Sequence, residues 1–386
     1  MPFRVEVGVG AMVILVLAAS CGRAEPTPTA PPQLETPAQE VSSTCGGLIP
    51  DFTKTQVRYV VDIGMYPSIV VGAVAPCGRE VYAYGKTKVT GGQAVDENTV
   101  FEIGSIGKVF TAVLLADMVA RGEISLDDPI ERYLPADVSV PTYEGESITL
   151  ADLATHTSGL PLIPDNLAPA DDYNPYADYT VQQMYDALGQ IQLTHDIGTQ
   201  YEYSNLGWGV LGHVLSLRSG MTYEKLVTTR IAGELGMHDT RETLTPEMQR
   251  HLATGYRFGE PMPLWDNPTL AGAGALRSTA SDMLTFLAAN LDLTPSPLYA
   301  PMHLTQEPRF TIDPSWQIGL GWEIRTYGSQ QIIEKRGATG GYWSFAGLSR
   351  DRQTGVVVLT NTFRPVDLIG LGLLTNQSGN RSAASP

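Results

Sequence analysis

The sequence predicts an α+β fold: one antiparallel sheet flanked by helices, with an all-helical subdomain inserted between the two halves of the sheet. Two observations carry this expectation. β-Branched and aromatic runs, which favour strands, lie near both ends of the chain. They are Ser68–Val74 and Val81–Tyr84 on one side, and Gln330–Lys335, Tyr342–Ser349 and Gly355–Thr360 on the other. Between them the apolar spacing is helical. A sheet assembled from both ends of the chain then packs against helices from its middle.

Taken in order, Cys77-Gly78 sits between the first two strands and makes them a hairpin. Phe101–Gly122 is apolar around nearly its whole circumference, the mark of a helix at the centre of a domain. Ile124–Leu134 contains Pro129 and reads as short helical turns. Leu150–Leu160 starts helical and breaks at Gly159-Leu160-Pro161. Residues 161–179, rich in Pro, Asp and Tyr, read as a loop. Val181–Leu188 and Leu206–Ser219 are helices, the second stopped by Gly220, and Tyr223–Gly236 is another. Leu270–Arg277 is rich in Gly and Ala, which suits close backbone packing. Ser278–Leu291 opens on capping residues. Asp351–Gly355 turns between the last two strands, Pro365–Leu374 is a short apolar helix, and 376–386 is a disordered tail. No internal repeat is visible.

The N-terminus reads as an export signal over residues 1–20, with an apolar core at Ala11–Ala19 too short to span a bilayer. Ala18-Ala19-Ser20-Cys21 is similar to a bacterial lipobox, which would place a lipid on Cys21 and a membrane anchor at the cell envelope. Ordinary signal cleavage near the same point is the alternative. Residues 21–47 form the lipid-anchor and linker region. Within it, Glu25–Val41 is rich in Pro and Thr and makes a semi-stiff tether. The domain then occupies 48–375. The three cysteines are Cys21, Cys45 and Cys77. With Cys21 lipidated, Cys45–Cys77 is the remaining pair in an oxidising compartment, a link worth roughly 3–4 kcal/mol on the chain-entropy model. A net charge of −16 argues against partners that are nucleic acids or anionic membranes.

Three stretches carry chemistry. Ser105 and Lys108, three apart, share a face in the first turn of the central helix. A cation there meets the positive end of the helix dipole, and burial also disfavours its charge. Both effects lower the lysine pKa, and a neutral amine beside a hydroxyl is what nucleophilic catalysis needs. Taken alone, these residues equally suit an N-cap and a lysine reaching solvent. Tyr203-Ser204-Asn205 precedes a helix. Lys335-Arg336-Gly337-Ala338 ends a strand.

Ser-x-x-Lys, Tyr-Ser-Asn and Lys-x-Gly, in that order, resemble the serine β-lactamase and penicillin-binding protein superfamily, in its class C (AmpC-type) form. That form has relatives among D-Ala-D-Ala carboxypeptidases, D-aminopeptidases and family VIII esterases. Leu153–Pro161, Leu126–Pro129, Ala273–Asp282 and Gly355–Asn361 are similar to the same family. The resemblance spans roughly residues 50–365 and implies a β-lactamase/transpeptidase-like fold and an acyl-enzyme on Ser105. It implies proton transfer by Lys108 and Tyr203, with Lys335 favouring the tyrosine anion. Asn205 would bind the substrate amide and Lys108, and the Ser105 and Ala338 N–H groups would form the oxyanion hole. Lys335, Arg336, Gly337 and Ala338 would complete the substrate site. No metal or cofactor is implied. The substrate would be a small molecule or a peptidoglycan-derived one: a β-lactam, a D-Ala-D-Ala peptide or an ester. A catalytically silent, membrane-tethered penicillin-binding sensor is the non-enzyme reading.

Arg336 departs from the family, which usually has Thr or Ser there to hold a substrate carboxylate. Asn361 and Arg364 offer no secure replacement. The loop 161–179 is expected to border the cleft and set specificity. His156 invites a triad reading, yet a Ser-His-Asp esterase wants G-x-S-x-G and Ile103 stands at the first glycine. In the resembling family the segment around His156 is structural.

Overall fold

The structure is a computed structural model whose described residues are 47–376. Eight strands form its main sheet: β1 (Ser68–Ala75), β2 (Gly78–Gly85), β3 (Phe310–Asp313), β4 (Trp316–Ile318), β5 (Glu323–Tyr327), β6 (Gln330–Ala338), β7 (Trp343–Ser349) and β8 (Thr354–Thr360). Their spatial order is β2-β1-β8-β7-β6-β5-β4-β3, antiparallel throughout. The first strand therefore pairs with the last, Ile69 opposite Thr360 and Val74 opposite Gly355. β3, β4 and β5 extend the expected sheet. Their alternation is short and interrupted, so it left little periodic signal.

Both faces of the sheet are covered. Ile69, Val71, Ile332, Phe345, Val356 and Val358 pack on one side with α1 (Asp51–Asp62) and the last helix, α8 (Asp367–Asn376). Val70, Val74, Ile333, Ala346, Val357 and Leu359 join the larger core on the other side. Neighbouring residues thus point to opposite layers, as strand geometry requires. A strand buried on both faces reads as a continuous apolar run, which is why Gly355–Thr360 has no polar alternation. α8 continues through Asn376, two residues past the expected helix end. The remaining tail, 377–386, lies outside the described residues. So do Cys21, Cys45, the export signal and the whole Glu25–Val41 tether.

The chain between β2 and β3 holds the inserted helical part. It includes α2 (Gly107–Ala120), α3 (Leu150–Thr155), α4 (Val181–Gln190), α5 (Asn205–Ser219), α6 (Ala280–Asn290) and α7 (Tyr299–Gln306). Three two-stranded ribbons punctuate it, among them Phe101–Glu102 with Arg277–Ser278. Every residue of α2 from Gly107 to Met118 is buried. Its Phe110 ring stacks on Phe286 of α6, centroids 4.3 Å apart.

The segment expected as one helix from Phe101 is three elements. Phe101–Glu102 is a strand, Gly104–Ile106 a 3₁₀ turn, and α2 starts at Gly107. The reason is close contact with β6. A Cβ on Gly337 would lie 2.0 Å from the Ile103 carbonyl oxygen. Gly104, at φ +49°, lies against the backbone of Ala338. The chain is thus pressed flat onto the end of β6 before it coils into α2, and Ser105 sits at that point.

Candidate active site

Each sequence motif reaches the site through local structure that its own residues dictate. Ser105 lies in the 3₁₀ turn and Lys108 in the first turn of α2. Ser204 is the N-cap of α5, its side chain accepting from the Gly207 N–H at 2.8 Å. Ser204 Oγ also donates to the Pro161 carbonyl at 2.7 Å. This cap fixes the residues on either side, Tyr203 and Asn205, which face the serine. α3 ends at His156 in the left-handed conformation, φ 62°. Its Nδ1 accepts from the Ser204 N–H at 2.9 Å, and its ring stacks on Tyr203, centroids 4.3 Å apart. The Trp208 indole N–H faces Nε2 at 3.1 Å. Burial, and then the charges of Lys335 and Lys108, hold the imidazole well below its usual pKa. His156 is therefore a neutral, buried support for the Tyr-Ser-Asn turn.

The centre is compact. Tyr203 donates its phenol proton to Ser105 Oγ at 2.7 Å. Lys108 Nζ lies 3.1 Å from the same oxygen, and donates to Asn205 Oδ1 at 2.8 Å and the Ala273 carbonyl at 2.7 Å. Lys108 is fully buried. Burial, and then the positive charge of Lys335, push its amine well below the ordinary lysine pKa. Burial likewise raises the Tyr203 phenol, so it keeps its proton.

Lys335 lies as expected beside Tyr203, its Nζ 5.2 Å from the ring centroid. The resting phenol is nonetheless raised, chiefly by burial. Lys335 is paired with Glu323 at 3.5 Å, and the Glu323 charge acts on the phenol in the opposite sense. Burial alone would raise the Glu323 carboxyl. The charges of Lys335 and Arg325 outweigh it and hold the group below its usual value.

Arg336 resolves to the other layer. It follows Lys335 on β6, so its side chain leaves the opposite face of the sheet. It binds Glu334 at 2.8 Å and lies 3.9 Å from Asp367 of α8. It does not face Ser105, so the expected place for Arg336 in the substrate site is corrected. Asn361 and Arg364 are also occupied elsewhere. Asn361 accepts from Ser68 Oγ at 2.7 Å and donates to the Thr254 carbonyl at 2.9 Å, while Arg364 lies over the Tyr66 ring.

Gly104, Ser105, Asn205, Ala273 and Ala338 line the cleft, and so do Tyr176 and Trp265. Tyr176 comes from the 161–179 loop, which therefore does border the cleft. Trp265 and Glu323 belong to no motif and were not legible as site residues. The Ala273 carbonyl lay within a segment read only as close-packed. Among the described residues no group of three or more His, Cys, Asp and Glu could hold a metal ion.

A family model described as Beta-lactamase matches residues 62–375. The chain belongs to that family. It is a serine hydrolase, similar to "Beta-lactamase" of Escherichia coli (strain K12), at 28% identity over 353 residues, covering 82% of this chain and 90% of that one. It is 29% identical over 363 residues to "D-alanyl-D-alanine-carboxypeptidase/endopeptidase AmpH" of the same strain, covering 87% of this chain and 92% of that one. The crystal structure of a class C β-lactamase from Rhodobacter sphaeroides matches with a TM-score of 0.73 at 27% identity, over 84% of this chain and 98% of the other.

Two outcomes follow. Removing Arg336 leaves Glu334 with Tyr327 and Arg325 as partners. Arg336→Ala should therefore cost on the order of 1 kcal/mol in chemical denaturation, given the half-exposed arginine, and leave substrate KM unchanged. A large rise in KM would place the guanidinium back in the cleft. The second concerns pH. If neutral Lys108 takes the serine proton, kcat/KM rises as pH climbs through its depressed pKa. Lys335→Met removes a charge that lowers that pKa, so the acid limb should move to higher pH. A limb that stays in place or moves down would show that another group titrates.

Proposed function

We propose that this β-lactamase-family hydrolase works through an acyl-enzyme on Ser105 and opens the amide of a β-lactam. One observation carries the reading: Lys108 and Tyr203 converge on Ser105 Oγ, and Asn205 and the Ala273 carbonyl fix the amine from behind. A neutral amine has two hydrogens and one lone pair. Asn205 and Ala273 take the hydrogens, and the lone pair is left for the serine. Ser105 passes its proton to Lys108 as its oxygen bonds to the carbonyl carbon. The carbonyl oxygen gains charge near the Ser105 and Ala338 N–H groups, which serve as the oxyanion hole. The C–N bond then breaks, and Tyr203 gives its proton to the departing nitrogen while drawing one back from Lys108. Water repeats the sequence on the ester and releases Ser105. The identity to proteins named Beta-lactamase supports this substrate class.

The second reading keeps the site and changes the substrate to a D-Ala-D-Ala peptide, supported by the similarity to AmpH. Time-resolved intact mass spectrometry with benzylpenicillin separates them. A transient adduct with loss of the β-lactam is expected. A long-lived adduct selects the carboxypeptidase reading. Ser105→Ala should abolish the adduct with the fold intact by circular dichroism, and an adduct that persists there overturns the assignment.

The same proposal has the chain exported, lipidated on Cys21, tethered to the envelope and closed by Cys45–Cys77. Intact mass of protein recovered from membranes should begin at Cys21 and carry the added acyl mass. Recovery of unacylated protein beginning elsewhere would reject the anchor.

A further inference from the structure

Large apolar side chains that nothing in the fold covers gather at one corner, where α1 ends. Ile63, Met65, Val89, Phe258 and Phe363 are exposed there, from 39% for Phe363 to 93% for Phe258. Contacts join their segments. The end of α1 and the chain after β2 face each other across a groove, Asp62 and Gly64 on one side, Lys86, Lys88 and Val89 on the other. The Val89 N–H donates to the Tyr256 hydroxyl at 3.0 Å, on the ribbon that pairs Gly255–Arg257 with Glu260–Met262. The Arg257 guanidinium lies over the Phe363 ring, 4.8 Å from its centroid. Arg364 lies 5.8 Å over the Tyr66 ring, which closes the circuit back to the end of α1.

Phe258 does little for the fold itself. It and Gly259 make the turn of the ribbon, and both have positive φ, +54° and +89°. Asn or Gly suits such a turn, and a bulky side chain at that φ is strained. The ring is held out into water, with the Arg257 guanidinium 5.4 Å from its centroid.

The corner is also cationic. Lys86, Lys88, Arg257 and Arg364 are exposed, and none of them takes part in an ion pair among the described residues. Arg257 has Glu260 opposite it on the ribbon, yet lies on the Phe363 ring instead. Two nearby carboxylates are occupied. Asp62 accepts from the Tyr84 hydroxyl and Asp367 from the Trp343 indole. The whole chain carries −16. Salt confines such forces to about 8 Å, so at a contact the charges of the contacting face decide.

Apolar tips ringed by free cations suit a surface that is oily within and anionic outside. The position agrees. The chain enters the described residues at Gly47, just before α1, and the corner is at the other end of that 12-residue helix, roughly 18 Å along it. We propose that this corner docks on an anionic lipid bilayer. Phe258, Val89 and Ile63 enter the acyl boundary, and Lys86, Lys88, Arg257 and Arg364 meet lipid phosphates. The docking takes from the preceding reading only that the chain meets a membrane, and adds a second contact that fixes how the domain faces it.

The test uses the full chain, as recovered from cells, on vesicles of phosphatidylglycerol and of phosphatidylcholine. Hydrogen–deuterium exchange reports the corner itself, whatever else holds the chain to the vesicle. Amides in 63–66, 86–89, 256–259 and 363–366 should exchange more slowly on phosphatidylglycerol than in free protein, and stay near the free rate on phosphatidylcholine. Lys88→Gln should lower that protection about fivefold. Phe258→Asn, which accepts the positive φ of the turn, should lower it further in the double variant. Turnover of a chromogenic ester in solution should be unchanged in both.

Equal protection on the two lipids, or none on either, overturns the docking. Protection that needs no lipid and grows with protein concentration assigns the corner to a second copy of the chain and also overturns it. Intact mass at Cys21 separates this from the anchor. An acylated chain with an unprotected corner keeps the anchor and rejects the docking, and a protected corner on an unacylated chain does the reverse.

Discussion

A three-coordinate nitrogen is the constraint on which this site depends. Lys108 Nζ has three polar neighbours: Ser105 Oγ, Asn205 Oδ1 and the Ala273 carbonyl. As an ammonium it would donate to all three and could accept nothing. As a neutral amine it donates to the two carbonyl-type oxygens and turns its lone pair to the serine. The fold favours the second state by burying the side chain completely and placing Lys335 within electrostatic reach. Each acceptor comes from a different element. α2 brings the lysine, the capped start of α5 brings Asn205, and the Gly/Ala segment before Arg277 brings Ala273. That segment reaches α2 and α5 only because glycines stand at its contacts. A Cβ on Gly272 would lie 2.5 Å from the Trp208 carbonyl, and one on Gly107 3.1 Å from Gly274.

Strand parity divides the work of β6. Lys335 and Gly337 face the helical layer, one beside Tyr203 and the other under the Ile103 carbonyl. Glu334 and Arg336 face α8 and pair with each other. A substitution at 336 therefore acts on the back of the sheet, and one at 335 or 337 acts on the serine. Electrostatics links the layers at Glu323, which touches Lys335 at 3.5 Å and Arg325 at 2.8 Å. Burial is the main reason that the resting phenol of Tyr203 keeps its proton, and the Glu323 carboxylate adds to it.

Much of this was legible in the sequence, and the reason is local. The hairpin at Cys77-Gly78, the capped helix after Ser204 and the all-apolar strand Gly355–Thr360 each announce themselves within a few residues. Ser105, Lys108, Tyr203, Asn205 and Lys335 were found because each motif is short and carries unusual chemistry. What escaped depends on distant contacts. The Phe101–Gly122 pattern reads as one helix, because nothing local reveals that β6 will flatten its first turn. Arg336 read as a site residue, since its direction is a matter of register and no neighbour in sequence fixes it. Trp265 and Glu323 stand in stretches with no pattern, and only the folded chain brings them to the cleft.

Distant contacts of the same kind make the site rigid. Ser105, Lys108 and Asn205 sit at the starts of buried helices, where a cap or close backbone contact sets each position. Glu102 and Arg277 extend that rigidity to Trp265 by taking both of its backbone groups, an arrangement that an isolated side-chain contact could not provide. Tyr176 stands on a segment without regular structure, yet its ring is buried in the same core, and a buried bond from Thr269 Oγ1 to the Tyr179 carbonyl ties that segment down three residues on. Displacing either Lys108 or Tyr176 would therefore break contacts in a packed core. The catalytic residues and the cleft wall share that core, and exposed bonds such as Asn174 to Asp266 fasten only its rim.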